Sequence, residues 1–282
     1  MQKFEVVSPG RIDGVVAKEQ NLSRSFVSVL LDQGKVILNG KVVFKAATKV
    51  KEGDFVELDY LPSQLQDIPE INLEILYQDD DCIVVNKPEG VLTHSKGAFN
   101  PEATVSTFIR QFTTGMSDNR GGIVHRLDRV TSGVIICAKH EAALAKLQKQ
   151  FSERKTKKTY NALIVGTLDP SEASIDMPIE RNPKKPQTFR VGPNGKTAVT
   201  NYKILKEGEA YSLVELRPVT GRTHQLRVHL AQLDRPIVGD VLYGGEPADR
   251  TYLHALSLEI TIPSGERKVF TAPLPKAFRQ KV

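Results

Sequence analysis

From Ile75 onward, short apolar runs outnumber helical patterns and do not alternate with them. Runs of this kind cannot build a doubly wound parallel sheet, which needs a helix after each strand. They read instead as ILY and CIVVN, then GGIV and GVIICA around a polar loop. TYNALIVGTL, a run near Ala198–Leu205, another near Tyr211–Leu216, YLHALSLEITI and the stretch around Lys268–Phe270 follow. Only two helices stand out. HEAALAKLQKQFSER places Leu144, Leu147 and Phe151 at i, i+3 and i+7, and HQLRVHLAQL places Leu226, Leu230 and Leu233 at i, i+4 and i+7. The expectation is an α+β fold: one large mixed, mainly antiparallel sheet with flanking helices.

The first segment differs. Ile12, Val15 and Val16 start a helical pattern, Ser23 is placed to cap a second helix carrying Phe26, Val27, Leu30 and Leu31, and Gly34 ends it. KVILNGKVVF then gives two short strands about an Asn39-Gly40 turn, and Glu52-Gly53-Asp54 turns the chain into a last strand. Pro62 to Asn72 is polar and carries two prolines, as a linker does. The division expected is a small α+β domain at 1–61, a linker at 62–74 and a large domain at 75–282.

Charge is uneven along the chain. Residues 1–70 hold 9 Lys or Arg against 10 Asp or Glu, whereas the rest hold 30 against 23. The excess gathers at Arg154–Lys158 and at Arg181–Lys196. A basic face of that kind suits phosphate. No apolar run reaches the roughly 20 residues of a membrane span, and MQKFEVVSPG lacks the apolar core of a signal peptide, so no membrane association and a cytoplasmic location are expected. Cys82 and Cys137 sit in apolar runs and read as buried free thiols.

Two strings carry chemistry. HRLDRVTSG, His125 to Gly133, sets Asp128 between Arg126 and Arg129 in a loop between apolar runs. Flanking cations favour the charged carboxylate, which suits a nucleophile or base better than a general acid. TGRTHQLRVHL, Thr220 to Leu230, turns at Gly221 and enters a helix whose first amides favour an anion. Arg227, one turn in, is placed to reach a carboxylate held there. Taken alone, Asp128 with its arginines also reads as a structural ion pair.

Four blocks in order are similar to the RluA-type pseudouridine synthases: VVNKPEGVLTH (Val84–His94), HRLDRVTSG, KKTYNALIVG (Lys157–Gly166) and RPVTGRTHQLRVHL…RPIVGDVLYG (Arg217–Gly244). The resemblance spans nearly all of residues 75–275. The first segment resembles the small ribosomal-protein-S-four-like RNA-binding domain through Leu22–Ser25, Gly34, Val36, Asn39-Gly40 and Gly53-Asp54. The resemblance implies an enzyme that isomerises uridine in ribosomal or transfer RNA, acting alone as a monomer, with no cofactor and no metal. It makes Asp128 the catalytic aspartate, Arg126 the arginine that fills the gap of a flipped uridine, and Tyr160 the tyrosine on the flipped base. Arg227 becomes the partner of the aspartate, with Arg222 beside it and Leu226 and Ile237 walling the base. Arg129 and Lys87 are the further substrate contacts expected in the large domain, Lys87 being equally readable as a loop ion pair. Arg24, Lys35 and Lys41 are the contacts expected in the small one. Val130 stands where the family often has an acid, which leaves the target RNA open.

Two other readings compete. His224, His229 and His254 with Asp128 or Asp240 suggest a metal hydrolase, although residues five apart on a helix do not face one point. A non-catalytic RNA-binding protein of the same fold is the second. It would have no need of Asp128, Tyr160 and Arg227 together.

Overall fold

The computed structural model describes residues 2–20, 22, 24–59, 69–94, 102–116 and 121–282. The chain divides into two compact units, Met1–Ile71 with His94–Thr104, and Asn72–Thr93 with Val105–Val282.

The first unit holds β1 (Gln2–Glu5), β2 (Gly10–Arg11), α1 (Ile12–Glu19), α2 (Arg24–Asp32), β3 (Val36–Leu38), β4 (Lys41–Val42), β5 (Lys49–Val50) and β6 (Phe55–Leu58). Its main sheet runs β1-β6-β3-β4. Phe26, Val27, Leu30 and Leu31 of α2 pack with Ile12 and Val16 of α1 over Val36, Val56 and Leu58. Gly34, at φ 68°, ends α2: its N–H reaches the Leu31 carbonyl and the Lys35 N–H reaches that of Leu30. Asn39 and Gly40 both take positive φ, as a two-residue hairpin turn requires. The expected cap Ser23 and the linker residues 62–68 lie outside the described residues. β1 was not evident in the sequence, because its QKFE has a single large apolar residue.

The second unit continues with β7 (Glu74–Gln78), β8 (Cys82–Lys87), α3 (Val105–Ile109), β9 (Ser132–Ala138), α4 (Glu141–Ser152) and β10 (Lys157–Val165). β11 (Glu172–Asp176), β12 (Ile179–Arg181), β13 (Phe189–Val191), β14 (Val199–Glu207) and β15 (Tyr211–Pro218) follow. It closes with α5 (Gln225–Gln232), β16 (Leu253–Thr261), β17 (Arg267–Thr271) and α6 (Lys276–Gln280). One large sheet runs β11-β14-β15-β10-β16-β9-β8-β7, with β17 on the rest of β16. The β9–β16 pair is parallel and the other pairs of this sheet are antiparallel. The fold is therefore α+β, with a mainly antiparallel sheet.

All of β9 is buried, and α4 covers it with Ala143 and Leu147. His140 caps α4 by accepting from the Ala143 N–H. Cys82 and Cys137 are buried thiols. One expectation fails here. GGIV makes a single bridge, Ile123 to Cys137, and not a strand, since Gly121 and Gly122 take positive φ just before it.

Gly133 is the second residue of β9, at φ 115°, where a Cβ would lie 2.1 Å from the Ala255 carbonyl oxygen of β16. The parallel contact that carries the end of the HRLDRVTSG loop thus requires glycine. Gly133→Ala is expected to cost at least about 3 kcal/mol, because neither the backbone of β16 nor the dihedral can give way. Urea unfolding of the variant measures this directly.

His254, on β16, is 1% exposed. Arg250 donates to Ser132 Oγ at 2.7 Å, and Ser132 in turn lies 2.9 Å from His254 Nδ1. The ring therefore accepts at Nδ1 and donates from Nε2 to the Ala272 carbonyl at 3.3 Å. Burial pulls its pKa down to about 4. The folded value lies below the unfolded one, so the neutral ring stabilises the fold above about pH 6.5 and loses that contribution as pH falls toward 4. Between pH 7 and pH 5 the loss is about 2 kcal/mol. Urea titrations at the two pH values should show His254→Gln falling by about 2 kcal/mol less than the parent over this interval.

Candidate active site

Asp128 sits in a loop that the second unit ties down on both sides. Before it, Leu127 exchanges two hydrogen bonds with the Thr93 hydroxyl, at 2.8 and 3.1 Å. After it, the Arg129 carbonyl accepts from the Gly90 N–H at 2.9 Å, and the Thr131 N–H returns to the Asp128 carbonyl at 3.0 Å. The Asp128 side chain, 19% exposed, faces a cavity of about 460 Å³. That volume falls in the range of small-ligand pockets. Asp128 is the sole carboxylate on its described wall, whereas Arg126, Arg154, Lys158, Arg222 and Arg227 all line it.

Arg227 comes from α5 and is 5% exposed. Its fork is taken by Asp240, with Nε to Oδ2 at 2.6 Å and Nη2 to Oδ1 at 2.7 Å. The remaining nitrogen, Nη1, stands 3.6 Å from Asp128 Oδ2. The guanidinium also lies 4.8 Å from the centre of the Tyr243 ring. Burial alone would lower the pKa of Arg227, but the hydrogen bonds and charge of Asp240, then the charge of Asp128, outweigh it and raise it. A fixed cation thus faces the aspartate.

Tyr160 lies on β10 between β15 and β16, and the register of the β10–β16 pair shifts between Thr159 and Tyr160. A bulge at that point re-aims the side chain. Tyr160 lines the cavity and packs against the core cluster that includes Ala162 and Leu253. Burial, then the charge of Asp128, raises its pKa, so it remains a phenol. Leu226, Leu253 and Phe151 supply apolar wall.

A family model described as RNA pseudouridylate synthase matches residues 81–232, and an S4 domain model matches residues 10–56. The chain belongs to the RNA pseudouridine synthases. The ribosomal large subunit pseudouridine synthase D of Escherichia coli is 36% identical to this synthase over 290 residues, covering 94% of the chain and 87% of the relative. That of Vibrio cholerae is 34% identical over 288 residues, covering 94% and 88%. The structure of human RNA pseudouridylate synthase domain containing 1 superposes with a TM-score of 0.62 at 32% identity, over 73% of this chain and 85% of that one. Human RNA pseudouridylate synthase domain containing 4 gives 0.59 at 28%, over 73% and 90%.

The synthase brings Asp128, Arg126, Tyr160, Arg222, Leu226 and Arg227 to one cavity. Arg126 is exposed at its edge, and Arg222 is held by the Thr197 carbonyl at 2.9 Å. Three expected contacts lie elsewhere. Ile237 is 1% exposed in the core, paired with Ile164 and off the cavity wall, where Leu253 stands instead. Arg129 is off the wall and donates to the Gly90 carbonyl at 3.1 Å. Lys87 is fully buried, and neither a phosphate contact nor a loop ion pair describes it. Its ammonium donates to the carbonyls of Pro88, Val91 and Arg129, at 2.9, 2.7 and 3.3 Å. Burial pulls its pKa down to about 7. Lys87 therefore holds the loop that carries Asp128 and is out of reach of a ligand.

The three histidines weighed as metal ligands point to different places. His224 faces Tyr243 and Asp128, His229 bonds Thr200 and the Met177 carbonyl, and His254 bonds Ser132 and Ala272. Among the described residues no three His, Cys, Asp or Glu side chains converge as ligands would. His125 accepts from the Ile136 N–H at 3.2 Å and stacks on Phe151, and burial takes its pKa down to about 3, so it is a neutral structural ring. The sequence weighs His224 and Asp240 only as metal ligands and Lys158 only as part of a basic cluster, whereas the structure puts His224 and Lys158 on the cavity wall and Asp240 behind Arg227. Asp240 gave one signal: an acid among Val238, Val241 and Leu242 needs a buried cation. In the first unit, Arg24 bonds the buried Asp13 at 2.9 Å with its side chain 58% exposed, Lys35 is half-buried and Lys41 is exposed.

Among the described residues no helix is long and apolar enough to cross a membrane.

Proposed function

We propose that this synthase isomerises specific uridines of structured RNA without a guide, using Asp128 as the reactive carboxylate on a flipped nucleotide. The observation that carries the reading is one carboxylate among five cations on the described residues of the cavity wall. Pseudouridine formation breaks N1–C1′, turns the base and forms C5–C1′, with loss of the C5 proton to solvent and return of one to N1. No electron is exchanged. Glycosidases need two carboxylates because water is activated while a leaving group is protonated. Here the base is retained, so one carboxylate near C1′ suffices.

A uridine in stacked RNA must leave the stack, at a cost of a few kcal/mol. Arg126, exposed at the cavity edge, enters the gap and offsets part of that cost. Tyr160 and Leu226 hold the base, and Arg222 and Lys158 meet phosphate. Arg24, Lys35 and Lys41 of the first unit add grip that does not depend on sequence. The curated relatives carry names that specify the large ribosomal subunit, which supports large-subunit ribosomal RNA as the substrate.

Pseudouridine mapped across total RNA from parent, deletion and Asp128→Asn cells tests this. The same large-subunit sites should vanish in both mutants. If no site changes, the enzymatic role proposed for Asp128 fails. If the lost sites lie in transfer RNA, the substrate assignment fails while the chemistry stands.

A further inference from the structure

His224 is the one residue of α5's entry with a left-handed backbone, at φ 56°. A non-glycine residue there is strained and persists only where its surroundings hold it. What holds it is Tyr243. The Tyr243 hydroxyl accepts from the Phe189 N–H at 3.0 Å and lies 2.7 Å from His224 Nδ1. The edge of Phe189 also meets the imidazole, with ring centres 5.6 Å apart. On its other side the imidazole turns Nε2 toward Asp128 Oδ2, at 3.8 Å.

These contacts fix where the proton sits. A lone pair on Nε2 would face a carboxylate oxygen, which is repulsive, so the hydrogen is on Nε2. Nδ1 is then an acceptor and takes the Tyr243 proton, which is consistent with Phe189 already occupying the hydroxyl as its donor. Burial keeps the ring neutral at ordinary pH by lowering its pKa, against the opposing pull of Asp128.

We propose that His224, oriented by Tyr243, is a positioning residue that holds Asp128 Oδ2 through its Nε2–H and leaves Oδ1 to the sugar carbon. This rests on Asp128 being the reactive group. Arg227 Nη1 approaches the same oxygen, at 3.6 Å, so both donors lie on one side of the carboxylate. Distances of 3.6 and 3.8 Å exceed a hydrogen bond and close when substrate desolvates the cavity. Tyr243 serves both donors: its hydroxyl sets His224 and its ring face lies against Arg227.

Three substitutions in the full chain separate this from a structural role. His224→Asn suits a left-handed backbone and keeps a group near Nδ1, but has no atom at the Nε2 position. His224→Gln places an amide N–H near that position. Tyr243→Phe keeps the ring against Arg227 and removes the hydroxyl. Each is assayed under single-turnover conditions by tritium release from total RNA of a deletion strain labelled at uridine C5, beside RNA binding by filter retention.

His224→Asn should lower the rate by about 10- to 100-fold, the size of a lost hydrogen bond to a charged group, with binding within about twofold. His224→Gln should recover most of that loss, and Tyr243→Phe should fall between the two. If Asp128→Asn is dead while His224→Asn and Tyr243→Phe run within twofold of the parent, the role of His224 is overturned and that of Asp128 stands. If His224→Gln is as slow as His224→Asn with both folded, the Nε2 donor is overturned as well. If Asp128→Asn retains its rate, the reactive carboxylate is misassigned and the role of His224 falls with it.

Discussion

Asp128→Asn is expected to lower pseudouridine formation by about ten-thousand-fold or more while RNA affinity changes by no more than a few-fold. The two effects separate for a physical reason. Asn has the shape of Asp, so the hydrogen bonds that tie the flanking residues to Thr93 and Gly90 persist. On the role proposed for Asp128, what is lost is the charge and the reactive oxygen that acts on the sugar. Affinity for RNA comes mainly from phosphate contacts, and the substitution leaves Arg126, Arg154, Lys158 and Arg222 on the cavity wall unchanged. A single-turnover rate with labelled RNA and a binding titration at fixed salt measure the two quantities. Equal losses in both would mean that Asp128 organises binding and does not act on the sugar.

Asp240→Ala is expected to give the largest loss of stability of any single change near the site. Asp240 is 2% exposed and holds the Arg227 fork with two short bonds. Its removal leaves a guanidinium buried without its partner, which costs about 3–5 kcal/mol. For a unit of this size the melting temperature should drop by roughly 10 °C. Activity should fall too, because the freed arginine can turn onto Asp128 and occupy the oxygen the sugar needs. The double variant Arg227→Met with Asp240→Leu distinguishes the two effects. An apolar pair in place of a buried ion pair is often neutral for stability, so melting should recover while the rate stays low. Recovery of both would show that Arg227 serves the fold alone.

The sheet was legible in the sequence wherever strands are long and apolar. β8, β9, β10 and β16 carry continuous or alternating apolar residues, and α4 and α5 carry their leucines at helical spacing. The short strands β11, β12 and β13 were not, because EASID, IER and FRV are too short and too polar to differ from loop. GGIV misled in the other direction, since its two positive-φ glycines keep the chain off the ladder until the single bridge at Ile123.

The site divides along a similar line. Asp128, Tyr160 and Arg227 were readable because each lies within a string whose residue types make chemical sense together. Lys87 was misread because a lysine before Pro-Glu-Gly looks exposed. Only packing reveals that three carbonyls close over its ammonium. Arg227 was matched to the aspartate alone, since nothing in the spacing connects residue 227 to residue 240. Such a pair belongs to the tertiary fold, and periodicity carries no trace of it.

The anchored loop has one more consequence. Lys87, Thr93 and Gly90 hold the backbone on both sides of Asp128, and Asp240 holds Arg227. On the role proposed for Asp128, the backbone of its loop and the fork of Arg227 are thus held by the fold, and only short side-chain movements are left there. The larger deformation on the way to reaction is then expected of the nucleic acid. Among uridines of the same sequence context, those in bulges and loops should then react faster than those in firm helices. The mechanical softness of the RNA at each uridine, more than the letters around it, would set the order in which sites are modified.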